Sequence, residues 1–352
     1  MNSADSSKNW VIIWLRTGVI MTIIQIALGG ITRLTGSGLS ITEWEVITGV
    51  LPPLNQQQWQ QAFQQYQQTP QFQLINYHFS LSDFQFIFFW EWFHRLWARL
   101  IGVVFAIGFI ILLGKGFFKK SMIGPLVMLF LLGAMQGAVG WIMVKSGLTG
   151  DAVYVKPTRL ALHFIFALVL LSYTWWFTLE LQWGETVYLL NSKLRNQVLI
   201  LLVLIFFQLA FGALMAGHKA ATVASTWPTI NGMWWPIDGS VHHSSDWLNN
   251  PLLVHFVHRS LAYFLLAGIL VFTYQLYKTP LSKPLLNYRG LAAGVVGIQV
   301  LLGILSLFAS RGIIPGKWGW FEWLAQIHQL TGMALLLILV MLLYFIRPSS
   351  AK

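Results

Sequence analysis

Four histidines recur along the long apolar stretches of this chain, one on every second span: His94, His163, His258 and His328, with His255 beside the third. A polar side chain in hydrocarbon costs a few kcal/mol and is by default a functional hypothesis. One such histidine would read as a hydrogen-bonded core residue, but four of nine, one on every second apolar span, is the arrangement that lets opposed imidazoles ligate a metal between facing helices of a bundle. With no cysteine in the chain, thiolate ligands, disulfides and covalent c-type attachment are excluded, and histidine is the leading candidate ligand. Zinc or copper would want three or four converging ligands. Each half of this chain offers one facing pair in apolar and aromatic surroundings. Two axial imidazoles around a flat macrocycle fit that pattern better, so the expectation is haem iron held by His94 with His163 and by His258 with His328.

Charged neighbours accompany each pair. Glu91 stands three residues before His94 and therefore on the same helix face, which suits it to accept a proton or to stabilise developing positive charge. Pairing with Arg95 or Arg99 is the structural alternative for Glu91. Arg95, Arg99 and Arg259 are candidates for the haem propionates, although Arg95 and Arg259 serve equally as side chains snorkelling to lipid headgroups. Where the first half has Glu91, the second has His255, either a buried hydrogen-bonding residue or a competing ligand. His258 is preferred as the ligand because the repeat aligns it with His94.

The elements that position these residues are membrane spans. The 352 residues are 56% hydrophobic and only 9% charged, with a mean hydropathy of +0.65, which a soluble fold could not solvate. Apolar runs of this kind, at 1.5 Å per helical residue, cross a hydrocarbon core of roughly 30 Å. Eight spans are expected near 10–32, 84–113, 122–144, 160–180, 197–216, 253–277, 290–310 and 323–346. The fold class is thus an all-α integral membrane protein, with eight transmembrane helices forming two pseudo-symmetric four-helix bundles. The net charge of +11 sits in short clusters between spans instead of a stripe, so nucleic acid is not the partner and membrane lipid is. Lys115, Lys119, Lys120, Lys193, Lys278, Lys283 and Arg289 fall on the side of both termini, which the positive-inside rule makes cytoplasmic. The expected location is the cell (inner) membrane. The polar start of the chain, followed by so long an apolar run, reads as an uncleaved first helix.

The two longest loops, 33–83 and 217–252, each follow the first helix of a half, which marks an internal repeat of 1–190 and 191–352. Glu91-Trp-Phe-His94-Arg95 matches His255-Phe-Val-His258-Arg259. Every odd-numbered span carries Gln-x-x-x-Gly: Gln25 to Gly29, Gln136 to Gly140, Gln208 to Gly212 and Gln299 to Gly303. A small residue permits close helix approach and an amide can bond across the interface, so packing accounts for these glutamines better than a ligand role. The glutamine-rich stretch Gln56 to Gln73 reads as a solvated amphipathic or irregular cap without chemistry. Trp227, Trp234, Trp235 and Trp247 read as interfacial belt residues, and His78, His218, His242 and His243 as outer-loop histidines that need no buried partner.

Taken in order, Gly29-Gly-Ile-Thr-Arg-Leu-Thr-Gly-Ser-Gly38 with Glu43-Trp44, the Glu91 to Arg95 run, Arg159-Leu-Ala-Leu-His163, Thr226-Trp-Pro-Thr-Ile-Asn-Gly-Met-Trp-Trp-Pro236, His258-Arg259 and His328-Gln329 resemble the haem A synthase family over essentially the whole chain. The resemblance implies oxidation of the C8 methyl of haem O to a formyl group by successive hydroxylations, giving haem A for terminal oxidases. It also implies that His94 and His163 hold the substrate haem, that His258 and His328 ligate a haem b cofactor, and that Glu91 is catalytic. A haem O synthase or a terminal oxidase assembly factor would be a natural partner, since haem O and haem A are too apolar to diffuse freely in water. No residue pattern names an electron acceptor. One subgroup of the family carries cysteine pairs in its outer loops; this chain has none, so a disulfide-dependent step cannot operate here. The competing readings are a b-type electron-transfer cytochrome, which would not need Glu91, and a haem carrier or exporter. A proton-coupled transporter would require more buried carboxylates than the chain provides.

Overall fold

The apolar runs fold as helices whose ends follow the local capping chemistry. In the computed structural model the described residues are 3–42, 48–184, 189–236, 243–281, 283, 285–314 and 316–348; Glu43, Trp44 and His242 lie outside them. The eight long helices are α1 (Ser3–Leu34), α3 (Leu81–Gly114), α4 (Lys120–Lys145), α5 (Pro157–Trp183), α6 (Ser192–Gly217), α8 (Pro251–Lys278), α10 (Leu291–Ala309) and α11 (Trp320–Phe345). Each belongs to a segment long and apolar enough to cross a bilayer, as the sequence leads one to expect. Shorter helices α2 (Gln56–Gln67), α7 (Asp246–Asn249) and α9 (Leu285–Tyr288) lie between them. The chain is a multi-pass membrane protein.

Caps set several of the boundaries. Ser80 and Asp83 form a reciprocal capping box that starts α3, and Asn191 accepts the Leu194 N–H at the start of α6. Asn250 accepts from the Leu252 and Leu253 N–H groups, with Pro251 just inside α8, where its missing N–H costs nothing. These short polar residues explain why each helix begins a few residues outside its purely hydrophobic run.

By internal contacts the chain divides into two compact units, Thr17–Ala167 and Met1–Arg16 with Leu168–Lys352. In the second unit, α6 packs on α8, α8 on α10, α10 on α11 and α11 on α6, closing a ring of four helices. Its carboxy-terminal end is tied by a short parallel pairing of Leu189–Leu190 with Ile346–Arg347. Arg195 also donates to the Leu343 and Ile346 carbonyls at the end of α11, which the helix itself leaves unpaired.

In the first unit, the glutamine-rich stretch takes the amphipathic of its two expected forms. Asn55 caps α2 by accepting the Gln58 N–H, and Trp59, Phe63 and Tyr66 sit on one face of that helix. This face packs on Phe84, Ile87 and Phe88 at the start of α3, with Tyr66 and Phe84 fully buried and their rings stacked 5.2 Å apart. The glutamines occupy the wet side, so α2 is an amphipathic helix docked on the amino-terminal end of α3.

Candidate functional site

His94, His163, His258 and His328 each lie against the preceding long helix, α1, α4, α6 and α10 respectively, at a glutamine and a glycine. In the second unit, the Gln208 amide of α6 is 3.4 Å from His258 Nε2 of α8, and the Gln299 amide of α10 is 3.4 Å from His328 Nε2 of α11. In the first unit, the Gln136 amide of α4 lies 3.3 Å from His163 Nδ1 of α5 and donates to the His163 carbonyl. Gln25 of α1 donates to the His94 main-chain carbonyl of α3 at 3.3 Å.

The glycine four residues after each glutamine makes room for the ring. A Cβ at Gly212 would stand 3.2 Å from His258 Cε1, at Gly303 3.0 Å from His328 Cε1, at Gly140 2.8 Å from His163 Cε1 and at Gly29 3.3 Å from His94 Nε2. The sequence pattern that reads as packing glue is therefore a seat for the histidines. The signal that could have shown this is its occurrence on the odd-numbered spans alone, with the histidines on the even ones.

The rings of His258 and His328 have centres 6.4 Å apart and planes at 78°. With a metal–imidazole nitrogen bond of about 2 Å, two rings bound on opposite sides of one ion have centres about 6 Å apart. His94 and His163 are also near enough to interact electrostatically. All four histidines are only partly buried as residues, whereas Glu91 and His255, one turn earlier on their helices, are each 2% exposed. The Nδ1 atoms of His258 and His328 are buried and have no hydrogen-bond partner among the described residues. No cluster of three or more histidine, aspartate or glutamate side chains among the described residues is placed to hold a metal ion. The donor set is thus paired imidazoles in apolar surroundings, which fits a haem.

Glu91 is anchored, not loose. Its Oε2 accepts from the Ser40 N–H at 2.7 Å, the Ser40 hydroxyl at 2.7 Å and the Ile41 N–H at 2.9 Å, while its Oε1 takes Arg95 at 2.5 Å. Arg95 also donates to the Ile41 carbonyl, and Trp92 to the Val50 carbonyl. The segment after α1 is thereby clamped onto the α3 turn that carries His94. Sequence reasoning missed Ser40 and Ile41, because the contact spans fifty residues and neither residue carries a charge.

Arg259 has a comparable job in the second unit. It donates to the Ala224 and Thr229 carbonyls of the loop after α6. Arg99 lies one turn beyond Arg95 and feels its charge. His255 aligns with Glu91, yet neither of its ring nitrogens has a hydrogen-bond partner among the described residues. Of the outer histidines, His218 contacts the Leu248 carbonyl and caps the end of α6. Trp234 and Trp235 are exposed, as belt residues would be.

The family model described as cytochrome oxidase assembly protein, COX15-CtaA, matches residues 12–341, which includes all four histidines and Glu91. The chain belongs to this family. Its COX15-CtaA relatives include the protein named heme A synthase of Flavobacterium psychrophilum, 39% identical over 339 residues that cover 93% of this chain and 95% of the relative. Those of Novosphingobium aromaticivorans and Paracoccus denitrificans, also named heme A synthase, are 40% and 36% identical. They cover 91% and 93% of this chain, and 90% and 85% of the respective relatives. Membership in the COX15-CtaA family implies a haem-related cofactor, in keeping with the imidazole pairs.

Proposed function

We propose that this chain is a haem A synthase, an oxidoreductase that converts the C8 methyl of haem O to the formyl group of haem A for terminal oxidases. The observation that carries the reading is the fourfold seating of partly accessible histidines as two pairs, in a chain whose full-length relatives bear that name. His94 and His163 hold haem O as substrate in the half comprising residues 1–190. His258 and His328 are the axial ligands of a haem b cofactor in the half comprising 191–352, and the two halves are pseudo-symmetric four-helix bundles. When bound, the haem b iron supplies one-electron redox chemistry.

The protein's own contribution is positional and electrostatic. The His94 and His163 seats fix the substrate ring, which converts an encounter in the lipid into a held geometry. Glu91 is the catalytic residue: buried one turn from His94, it places a carboxylate beside the substrate where positive charge or a proton must be accommodated. Arg95, Arg99 and Arg259 serve the propionates. A guanidinium has five N–H donors, so bonding loop carbonyls does not exhaust Arg259. Arg95 and Arg259 also hold the loops after α1 and α6, which limits access of water.

Both termini are cytoplasmic and the membrane is the cell membrane. The haem-handling ends of the bundles then face outward, beneath the loops after α1 and α6. A haem O synthase supplies the substrate and an oxidase assembly factor removes the product.

The test is expression of this chain in cells that make haem O but no haem A. Chromatography of the extracted haems is expected to show haem A. Haem O left unchanged, with the protein present in the membrane and loaded with haem, would favour an electron-transfer cytochrome and overturn the reading.

A further inference from the structure

The Gln-x-x-x-Gly pairs differ from ordinary small-residue packing in one respect. On α4, Gly133 and Gly137 have nothing within 4 Å of where a Cβ would be, and on α10 the same holds for Gly294 and Gly297. Only the glycine four residues after the glutamine meets a neighbour in these helices, and that neighbour is a histidine ring. Backbone approach between helices does not explain this; accommodation of an imidazole does.

The glutamine completes the arrangement. The Oε1 atoms of Gln25, Gln136, Gln208 and Gln299 are all buried without a hydrogen-bond partner among the described residues, as are His258 Nδ1 and His328 Nδ1. The Gln208 and Gln299 amides stand at the Nε2 atoms of the rings and not at the orphaned Nδ1 atoms, so each orphaned amide oxygen is an acceptor within reach of an Nε2–H while Nδ1 stays unpaired. A histidine that ligates a metal through one nitrogen carries its proton on the other, and in hydrocarbon that N–H needs an acceptor. Half a turn of the side-chain amide exchanges its nitrogen and oxygen. The amides of Gln136, Gln208 and Gln299 already lie 3.3 to 3.4 Å from the rings. Gln25 reaches the His94 main chain instead, so the substrate-side His94 is held differently from the other three.

We infer that Gln136, Gln208 and Gln299 are positioning residues that accept the hydrogen bond of the non-ligating ring nitrogen, fixing ring orientation and tuning the bound haem. The inference deepens the haem reading above and rests on it. A ring N–H held by an acceptor donates more electron density to iron and favours the ferric state. Removing the acceptor therefore raises the reduction potential and weakens haem binding, roughly tenfold or more by analogy with other metal-ligand supports.

The experiment uses the full-length protein purified with its haem. Gln208→Leu and Gln299→Leu remove the acceptor at similar volume, Gln208→Asn and Gln299→Asn keep an amide but shorten its reach, and Gln208→Glu and Gln299→Glu keep an oxygen at the same reach. Redox titration is expected to give a more positive midpoint for the Leu and Asn variants, with altered ferric low-spin resonance positions. The Glu variants are expected at or below the parental midpoint. Asn variants with parental midpoints and resonances would overturn the inference even where the Leu variants fail to accumulate. Parental protein, or an intact chain reconstituted with haem, that shows no bis-imidazole spectrum would instead overturn the haem reading, and this inference with it.

Discussion

His258 and His328 face each other from α8 and α11, ring centres 6.4 Å apart, each backed by a glutamine and a glycine, of α6 and α10 respectively. Neither ring alone makes a site, but the separation suits one metal ion between the two. Either His258→Ala or His328→Ala is expected to abolish the bis-imidazole absorption of the resident haem in purified protein. His255→Phe is expected to preserve it. His255 sits one turn earlier, 2% exposed with both nitrogens unpartnered among the described residues, and replacing an unsatisfied buried group by an apolar one of similar shape is close to neutral. Loss of the spectrum in His255→Phe with retention in His258→Ala would reassign the ligand.

Glu91 joins two roles that substitutions can separate. Three donors from Ser40 and Ile41 and one from Arg95 converge on its carboxylate, and the Arg95 side chain is itself only 13% exposed. Glu91→Ala takes the carboxylate away from that guanidinium and from the Ser40 and Ile41 donors, and is expected to destabilise the protein by roughly 3 kcal/mol. Thermal unfolding in detergent measures this. Glu91→Gln retains an acceptor for Ser40 and Ile41 and is expected to cost less, yet to accumulate haem O or a hydroxylated intermediate because the charge beside the substrate is gone. Full haem A production by Glu91→Gln would remove Glu91 from catalysis and leave it a loop clamp.

The spans were legible from hydropathy because in a bilayer almost every helical residue must be apolar, and all eight fall where expected to within a few residues. The imidazole pairs were legible for the converse reason, since a polar residue in such a run stands out. What stayed hidden was partnership. Nothing local in Ser40-Ile41 announces a contact with Glu91, and Gln-x-x-x-Gly reads the same whether it seats a helix or a histidine. The α2 cap was obscured by its glutamines, which mask the Trp59, Phe63 and Tyr66 face that gives it a reason to fold.

That face carries a pH dependence. Tyr66 is fully buried, its hydroxyl donating to Gln71 at 3.0 Å and accepting from Asn76 at 2.7 Å. Burial pushes its phenol up from 10.0 to about 12, partly offset by the Asn76 bond. A raised folded value means that the stabilisation is intact below pH 10 and is lost as pH rises toward 12. Hydrogen exchange of the α2 amides is expected to accelerate across that interval, beyond the increase due to base catalysis alone. Tyr66→Phe is expected to remove the excess acceleration; its persistence would assign the titration to another group.

The glycine seats make a graded series. Gly140 is the tightest, with a Cβ 2.8 Å from the His163 ring, and Gly303 follows at 3.0 Å, Gly212 at 3.2 Å and Gly29 at 3.3 Å. An alanine at the first must displace an imidazole that packing holds, whereas at the last the neighbour need yield only a few tenths of an ångström. Gly140→Ala and Gly303→Ala are therefore expected to reduce haem A yield most, Gly29→Ala least. Gly133→Ala and Gly137→Ala serve as controls on the same helix as Gly140, with open space at each Cβ and a helix propensity gain of up to about 1 kcal/mol. Haem content per protein and the ratio of haem A to haem O measure the series. Equal losses at Gly137 and Gly140 would mean that α4 responds to backbone stiffness and not to the fit of the His163 ring. A loss confined to Gly140 would show that one missing methyl group sets the position of a ligand.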